Sequence, residues 1–202
     1  MKNPIKGSKG IISIHVFFIA LMMFVILTSL LYMMTNQLKI QMSNNDSYRA
    51  NYLAESIVEL KLAEVLQLSE EVIKKYRIDL YRYKVEYLLL IYQGFDKRYN
   101  PPVFADYVKR ELLPQIKELS SSENNPFEDY LEDHHYKIKI QYDIRQNVIM
   151  MEAMGRYKRA RRFIYVKLSL PQSMDNGLDE YDLPRISIIS PHIIGYYRTI
   201  GL

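Results

Sequence analysis

Residues 6–34 read KGSKGIISIHVFFIALMMFVILTSLLYMM. From Ile11 to Met34 this stretch holds 24 residues with no charged side chain, no Gly and no Pro. As a helix it rises about 36 Å, enough to cross a hydrocarbon core of about 30 Å with some tilt. Lys2, Lys6 and Lys9 precede it without an acidic residue, so the positive-inside rule holds the N-terminus in the cytoplasm and exports the rest. The reading is a single-pass topology, N-terminus inside and C-terminal part outside.

The remaining chain has ordinary charge density and enough apolar residues for one domain. Loss of the three N-terminal lysines leaves 24 basic against 23 acidic side chains, so the overall +4 is a topological signal and not a nucleic-acid footprint. Cysteine is absent, which excludes a disulfide framework and a thiolate metal site.

Between Gly10 and Gly94 there is neither Gly nor Pro, as expected of one or two long helices. The polar run Asn44-Asn45-Asp46-Ser47 marks the expected weak point. From Ala50 an amphipathic stripe of Ala54, Ile57, Val58, Leu62, Val65 and Leu66 predicts a face that must pack on something. A further helical stretch spans about Ser69 to Gln93, with Gly94 as its stop, and a third is expected over Phe104 to Leu113, kinked at Pro114.

Ser120 to Pro126 is a loop, and beyond it the pattern changes to period two. Tyr136 to Tyr142, Val148 to Tyr157 and Arg162 to Leu170 predict a three-stranded antiparallel meander. Three strands cannot bury a face alone, so the stripe around Ile57 to Leu66 is the expected cover, packed on the face carrying Ile138 and Ile140. The fold class is α+β: a long N-terminal helix on a small antiparallel sheet, with an additional helical insertion. The expected organisation is a basic leader over 1–10, a transmembrane helix over 11–34 and an extracytoplasmic domain over 35–202. Within that domain 50–119 is helical, about 136–170 is the meander and the tail 171–202 is irregular or an edge strand.

The Lys-Gly-Ser-Lys-Gly sequence ending at Gly10, abutting the apolar run, resembles the prepilin leader of type IV pilin-like proteins. An ordinary secretory signal is cut after its apolar segment, not before it. The resemblance implies cleavage after Gly10 by a prepilin peptidase, with Ile11 as the N-methylated mature terminus. Ala-Asn-Tyr-Leu-Ala-Glu-Ser at 50–56 is similar to the segment following the membrane helix in many minor pilins. The stretch Glu152 to Ile164 is similar to their strand, Gly, turn, Arg and strand hairpin. The resemblance covers Lys6 to Leu66 and Tyr136 to Leu170, leaving the 69–126 insertion and the tail outside it.

Major pilins carry Glu at the fifth mature position, where it is thought to pair with a neighbour's amino terminus; this chain has His15 there. An imidazole, neutral or cationic, cannot supply a carboxylate's negative charge inside lipid. The resemblance therefore implies a minor pilin or pseudopilin, at the tip or in an initiating complex, whose partners are other pilin subunits, the prepilin peptidase and the membrane. The competing expectation is an uncleaved signal-anchored protein whose exported domain binds a ligand.

Other constellations carry less. His134-His135 beside Glu132 and Asp133 lacks metal-ligand spacing, since adjacent strand residues face opposite ways. No metal or cofactor site is therefore expected. Arg156, Lys158, Arg159, Arg161 and Arg162 form the one dense basic patch. Contact with DNA or another polyanion is its sharper reading, a solvated hairpin tip its plainer one. Eighteen tyrosines with no Trp, five of them at Tyr76, Tyr81, Tyr83, Tyr87 and Tyr92, suit interfaces or a partly wet core. No phosphate loop, nucleophile elbow or convergent carboxylate pair is present, so no catalytic residue is expected.

Overall fold

A computed structural model describes residues 8–95, 98–128 and 130–200, and of residues 8–12 and 200 the backbone alone. The chain divides into two units, Met1–Asn45 and Asp46–Leu202. One helix, α1 (Ser8–Tyr92), supplies the described part of the first and opens the second. The architecture is α+β, a long helix on an antiparallel sheet.

The break expected at Asn44-Asn45-Asp46-Ser47 does not occur; those residues are helical although the units divide there. Two of them find side-chain partners: Asp46 lies 3.9 Å from the Lys158 ammonium, and the Ser47 hydroxyl accepts from Arg162. Nor does a second helix begin at Ser69. Its hydroxyl, fully buried, donates back to Val65 O at 2.8 Å, which satisfies it without interrupting the ladder. The helix ends where the sequence indicates, with Gly94 at φ +83°.

In the second unit the buried side of α1 recurs at helical spacing through Leu53, Ile57, Val65, Val72, Tyr76 and Leu80. Leu62, expected in the centre of that stripe, is only half-buried at its margin. The core joins α1 to Ile138, Ile140, Met151, Ala153, Ile164 and Val166 of the sheet. Two short helices, α2 (Phe104–Tyr107) and α3 (Leu113–Glu118), close the core with Phe104, Leu112, Leu113 and Ile116. Between them Val108–Leu112 is a π-helical turn, and the Leu113 N–H reaches back to Val108 O. Pro114 has no N–H and its ring crowds the carbonyl four residues back, so the backbone widens by one residue just before it and does not simply kink.

The sheet has five strands in the order β1-β2-β3-β4-β7. The expected meander is its centre: β2 (His134–Asp143), β3 (Val148–Tyr157) and β4 (Ala160–Ser169). β1 (Ser121–Asn124) adds one edge from within the segment read as a loop. The tail is not irregular, and it carries the edge strand expected as the other reading. β5 (Gln172–Leu178) and β6 (Pro184–Ile189) form a separate hairpin, and β7 (Ile193–Ile200) pairs with β4 as the other edge. The turn between β5 and β6 is built around Asp179, whose Oδ1 accepts from Tyr181 N and Leu183 N. Lys84 of α1 holds the same carboxylate at 2.6 Å.

The inserted tyrosines divide between roles. Tyr76 is buried edge-on against Phe104, with ring centroids 5.0 Å apart. Tyr83 and Tyr87 form a cluster with Tyr99, while Tyr81 and Tyr92 face outward, 72% and 91% exposed.

Burial, reinforced by Tyr83 and Asp179 nearby, pushes the Tyr99 phenol up to about 12. Burial, then the hydrogen bond donated to Asp79, does the same for Tyr107, also to about 12. An unfolded chain releases these protons near pH ~10. Between pH 10 and 12 the folded state therefore holds more protons, and stability present below pH 10 falls as pH rises. Urea midpoints should drop across that window, and Tyr99→Phe with Tyr107→Phe should flatten the decline. Parallel pH profiles would contradict the assignment.

Candidate functional site

In the first unit α1 is unlike any other part of the described residues. From Ser13 to Met34 every described side chain is exposed, the large apolar ones between 48% at Leu21 and 70% at Tyr32. The Thr28 hydroxyl donates to Phe24 O and Val25 O at 2.9 Å, and Thr35 to Tyr32 O at 2.9 Å. Such back-bonding meets the demand of a hydrocarbon medium, where a hydroxyl has no water to bind. Among the described residues this is the one helix long and apolar enough to cross a membrane, near the N-terminus as an anchor or a signal sequence would be.

The junction proposed for processing lies at the start of this helix. The backbone of Gly10 and Ile11 is helical, while residues 1–7 of the leader lie outside the described residues. His15 sits on the exposed apolar stretch.

In the second unit the two stretches singled out separately in the sequence meet. Ala50 and Leu53 of α1 are buried against Tyr157, and the strand interior beneath them is Gly155. A Cβ on Gly155 would stand 2.1 Å from Ala50 O and 2.7 Å from Ala54 N. Gly is thus required there for helix and strand backbones to touch.

The basic hairpin closes on the same junction. Arg156 pairs with Asp133 at 2.8 Å, and Lys158, with φ +51° in the turn, lies 3.4 Å from Glu132 as well as near Asp46. Arg162 donates to Ser47. From the helix, Arg49 donates to the Tyr157 hydroxyl and lies over that ring, 5.0 Å from its centroid. Three of the five cations read as a polyanion patch are thus engaged within the domain. Arg159 and Arg161 are the exposed remainder.

No family model, curated protein or solved structure matches this chain.

The histidine pair is divided by the strand as period two requires. His134 is buried and both its ring nitrogens are used: Nε2 accepts the Phe127 N–H at 3.1 Å, so Nδ1 carries the proton and donates to Glu132 O at 2.9 Å. It pins the loop before β2 and has no ring nitrogen left for a metal. His135 is half-buried across the strand. Among the described residues no group of three metal-capable side chains converges.

Two features of the junction were not read from sequence. Arg198 on β7 pairs with Glu55 of α1, and no local pattern links residues so far apart. Gly155 did carry a signal, a lone Gly within a strand pattern, which marks close backbone approach.

Proposed function

We propose that this chain is a minor pilin or pseudopilin, a structural subunit of a type IV pilus or a related secretion or competence filament, at the tip or in an initiating complex. The observation that carries the reading is the fully exposed apolar stretch of α1. Seventeen large apolar side chains facing outward between Ile14 and Met34 need lipid before assembly and a bundle of similar helices after it. Beyond that stretch the Ala50 to Ser56 segment packs on the Glu152 to Ile164 hairpin at Gly155. The two pilin-like motifs thus form one contact in three dimensions, which supports the resemblance independently of the leader.

The subunit would reside in the cytoplasmic membrane with its N-terminus inside and its domain outside, and at the cell surface once assembled. Its role is structural, without chemistry of its own. His15 supports a tip or initiating position: it supplies no negative charge to a neighbour's amino terminus, and one neighbour is missing at a tip.

Mass spectrometry of the membrane-extracted protein and of sheared filaments tests the reading. The expected mature chain begins at N-methyl-Ile11, and its abundance in filaments is far below that of the major subunit. An intact Met1 would favour the uncleaved anchor, and stoichiometric abundance along the shaft would remove the tip assignment.

A further inference from the structure

β2 is longer than the strand that covers its outer edge. β1 pairs only with His135 to Ile138, whereas β2 continues to Asp143 and keeps its pairing with β3 throughout. Just past the end of β1, the Ile140 N–H is satisfied on the uncovered side by the Ser120 hydroxyl, at 3.0 Å. Two residues further on the strand period turns the Tyr142 N–H and C=O to that same side, where no strand lies among the described residues. An uncovered edge of this kind is a template for another chain.

The edge opens on a groove of about 930 Å³. Its apolar lining comes from Ile140, Tyr142, Ile144 and Met150. Three cations from three elements also line it: Lys117 of α3, Lys139 of β2 and Arg145 of the following turn. None of these three is in an ion pair among the described residues. At the helix–hairpin junction Arg156, Lys158 and Arg198 are in ion pairs, while Arg49 and Arg162 are held by hydroxyl acceptors. The one carboxylate in the lining, Asp143, uses Oδ1 to accept from Arg145 N and Gln146 N and so shapes the turn. The groove also lies at the end of the sheet opposite the β3–β4 turn, which is the end held against Asp46.

We propose that the end of β2 at Tyr142, next to Ile140 whose N–H and C=O are both bonded by the Ser120 hydroxyl, is a strand-addition site for an extended acidic peptide segment of a partner protein. The backbone edge selects the class of ligand: a peptide main chain can return alternating N–H and C=O groups to Tyr142, and neither a saccharide nor a nucleic acid can. The three cations select its charge, and the apolar lining accepts the side chains that alternate with the acidic ones. The site does not depend on whether α1 serves as an anchor or as part of a filament.

The test uses the full-length protein in detergent micelles and a fluorescein-labelled hexapeptide of alternating Glu and Val, read by fluorescence anisotropy. Saturable binding is expected, weakened about tenfold or more by Lys139→Glu or Arg145→Glu and weakened by added salt. Arg159→Glu, on the opposite turn, should leave it unchanged. The same peptide N-methylated at alternate residues should not bind, because it cannot complete the strand ladder. No binding by the unmodified hexapeptide would overturn the site and show Lys139 to be an edge guard. Equal binding of the N-methylated peptide, or equal loss on Arg159→Glu, would reduce it to general electrostatics. Binding of a sulfated hexasaccharide in place of the peptide would overturn the ligand class.

Discussion

Gly155→Ala is expected to lower the stability of the domain by about 3 kcal/mol or more, a large effect for one methyl group. The added carbon would meet Ala50 O at 2.1 Å, Ala54 N at 2.7 Å and Leu53 Cβ at 3.1 Å. Two of these three atoms belong to the backbone of α1, so no rotamer change relieves the clash. The helix must lift from β3, which opens the small core of Ala50, Leu53 and Tyr157 and pulls Arg49 from the Tyr157 hydroxyl. Against a total of about 5–15 kcal/mol such a loss removes much of the folding free energy. Gly177→Ala is the comparison: Gly177 has φ +83° and open space around it, so its cost is backbone strain alone, about 1 kcal/mol. Urea unfolding of both variants separates contact from strain. A Gly155→Ala protein as stable as wild type would show that helix and sheet do not touch there.

Gly10→Val is expected to abolish processing outright. On the prepilin reading the peptidase must accommodate the residue before the cut, and a branched Cβ cannot follow where Gly has none. The variant should stay in the membrane at the mass of the full chain and be missing from sheared filaments, while the wild type loses residues 1–10. Mass spectrometry of both in the same cells reads this directly. Normal processing of the variant would place the cut elsewhere or nowhere, and the leader reading would fall with it.

Much of the fold was legible because it rests on local periodicity. The apolar run, the helical stripe from Ala54 to Val65 and the alternation of Ile138 and Ile140 each report the environment of one element. The mutual burial of the stripe and the strand face follows from the need to cover two apolar faces. Of the tail no more than an edge strand was legible, for the opposite reason. β5 is exposed along its length and shows no alternation, and β7 gains its strand partner across the sequence from β4. Strand propensity in such segments is weak until a neighbour is in place.

The basic hairpin shows the same limit at the level of function. Five cations between Arg156 and Arg162 look alike in sequence. Arg156 reaches Asp133, Lys158 reaches Glu132 and Asp46, and Arg162 reaches Ser47. Only Arg159 and Arg161 keep the outward role that a polyanion site would need, because charges in a folded domain are taken first by the nearest opposite charge or acceptor.

Amino-acid order alone specifies the membrane-length helix, the helical character of the Gly- and Pro-free stretch between Gly10 and Gly94 and the central meander, since each follows from contiguous residues and their spacing. Three-dimensional packing was needed to carry α1 unbroken through Asn44 to Ser47, to add β7 to the sheet and to bring Ala50 onto Gly155. It also left the end of β2 uncovered beside Lys117, Lys139 and Arg145. These features join residues up to a hundred or more positions apart, and an interaction between distant residues has no energy until the chain has closed the loop between them.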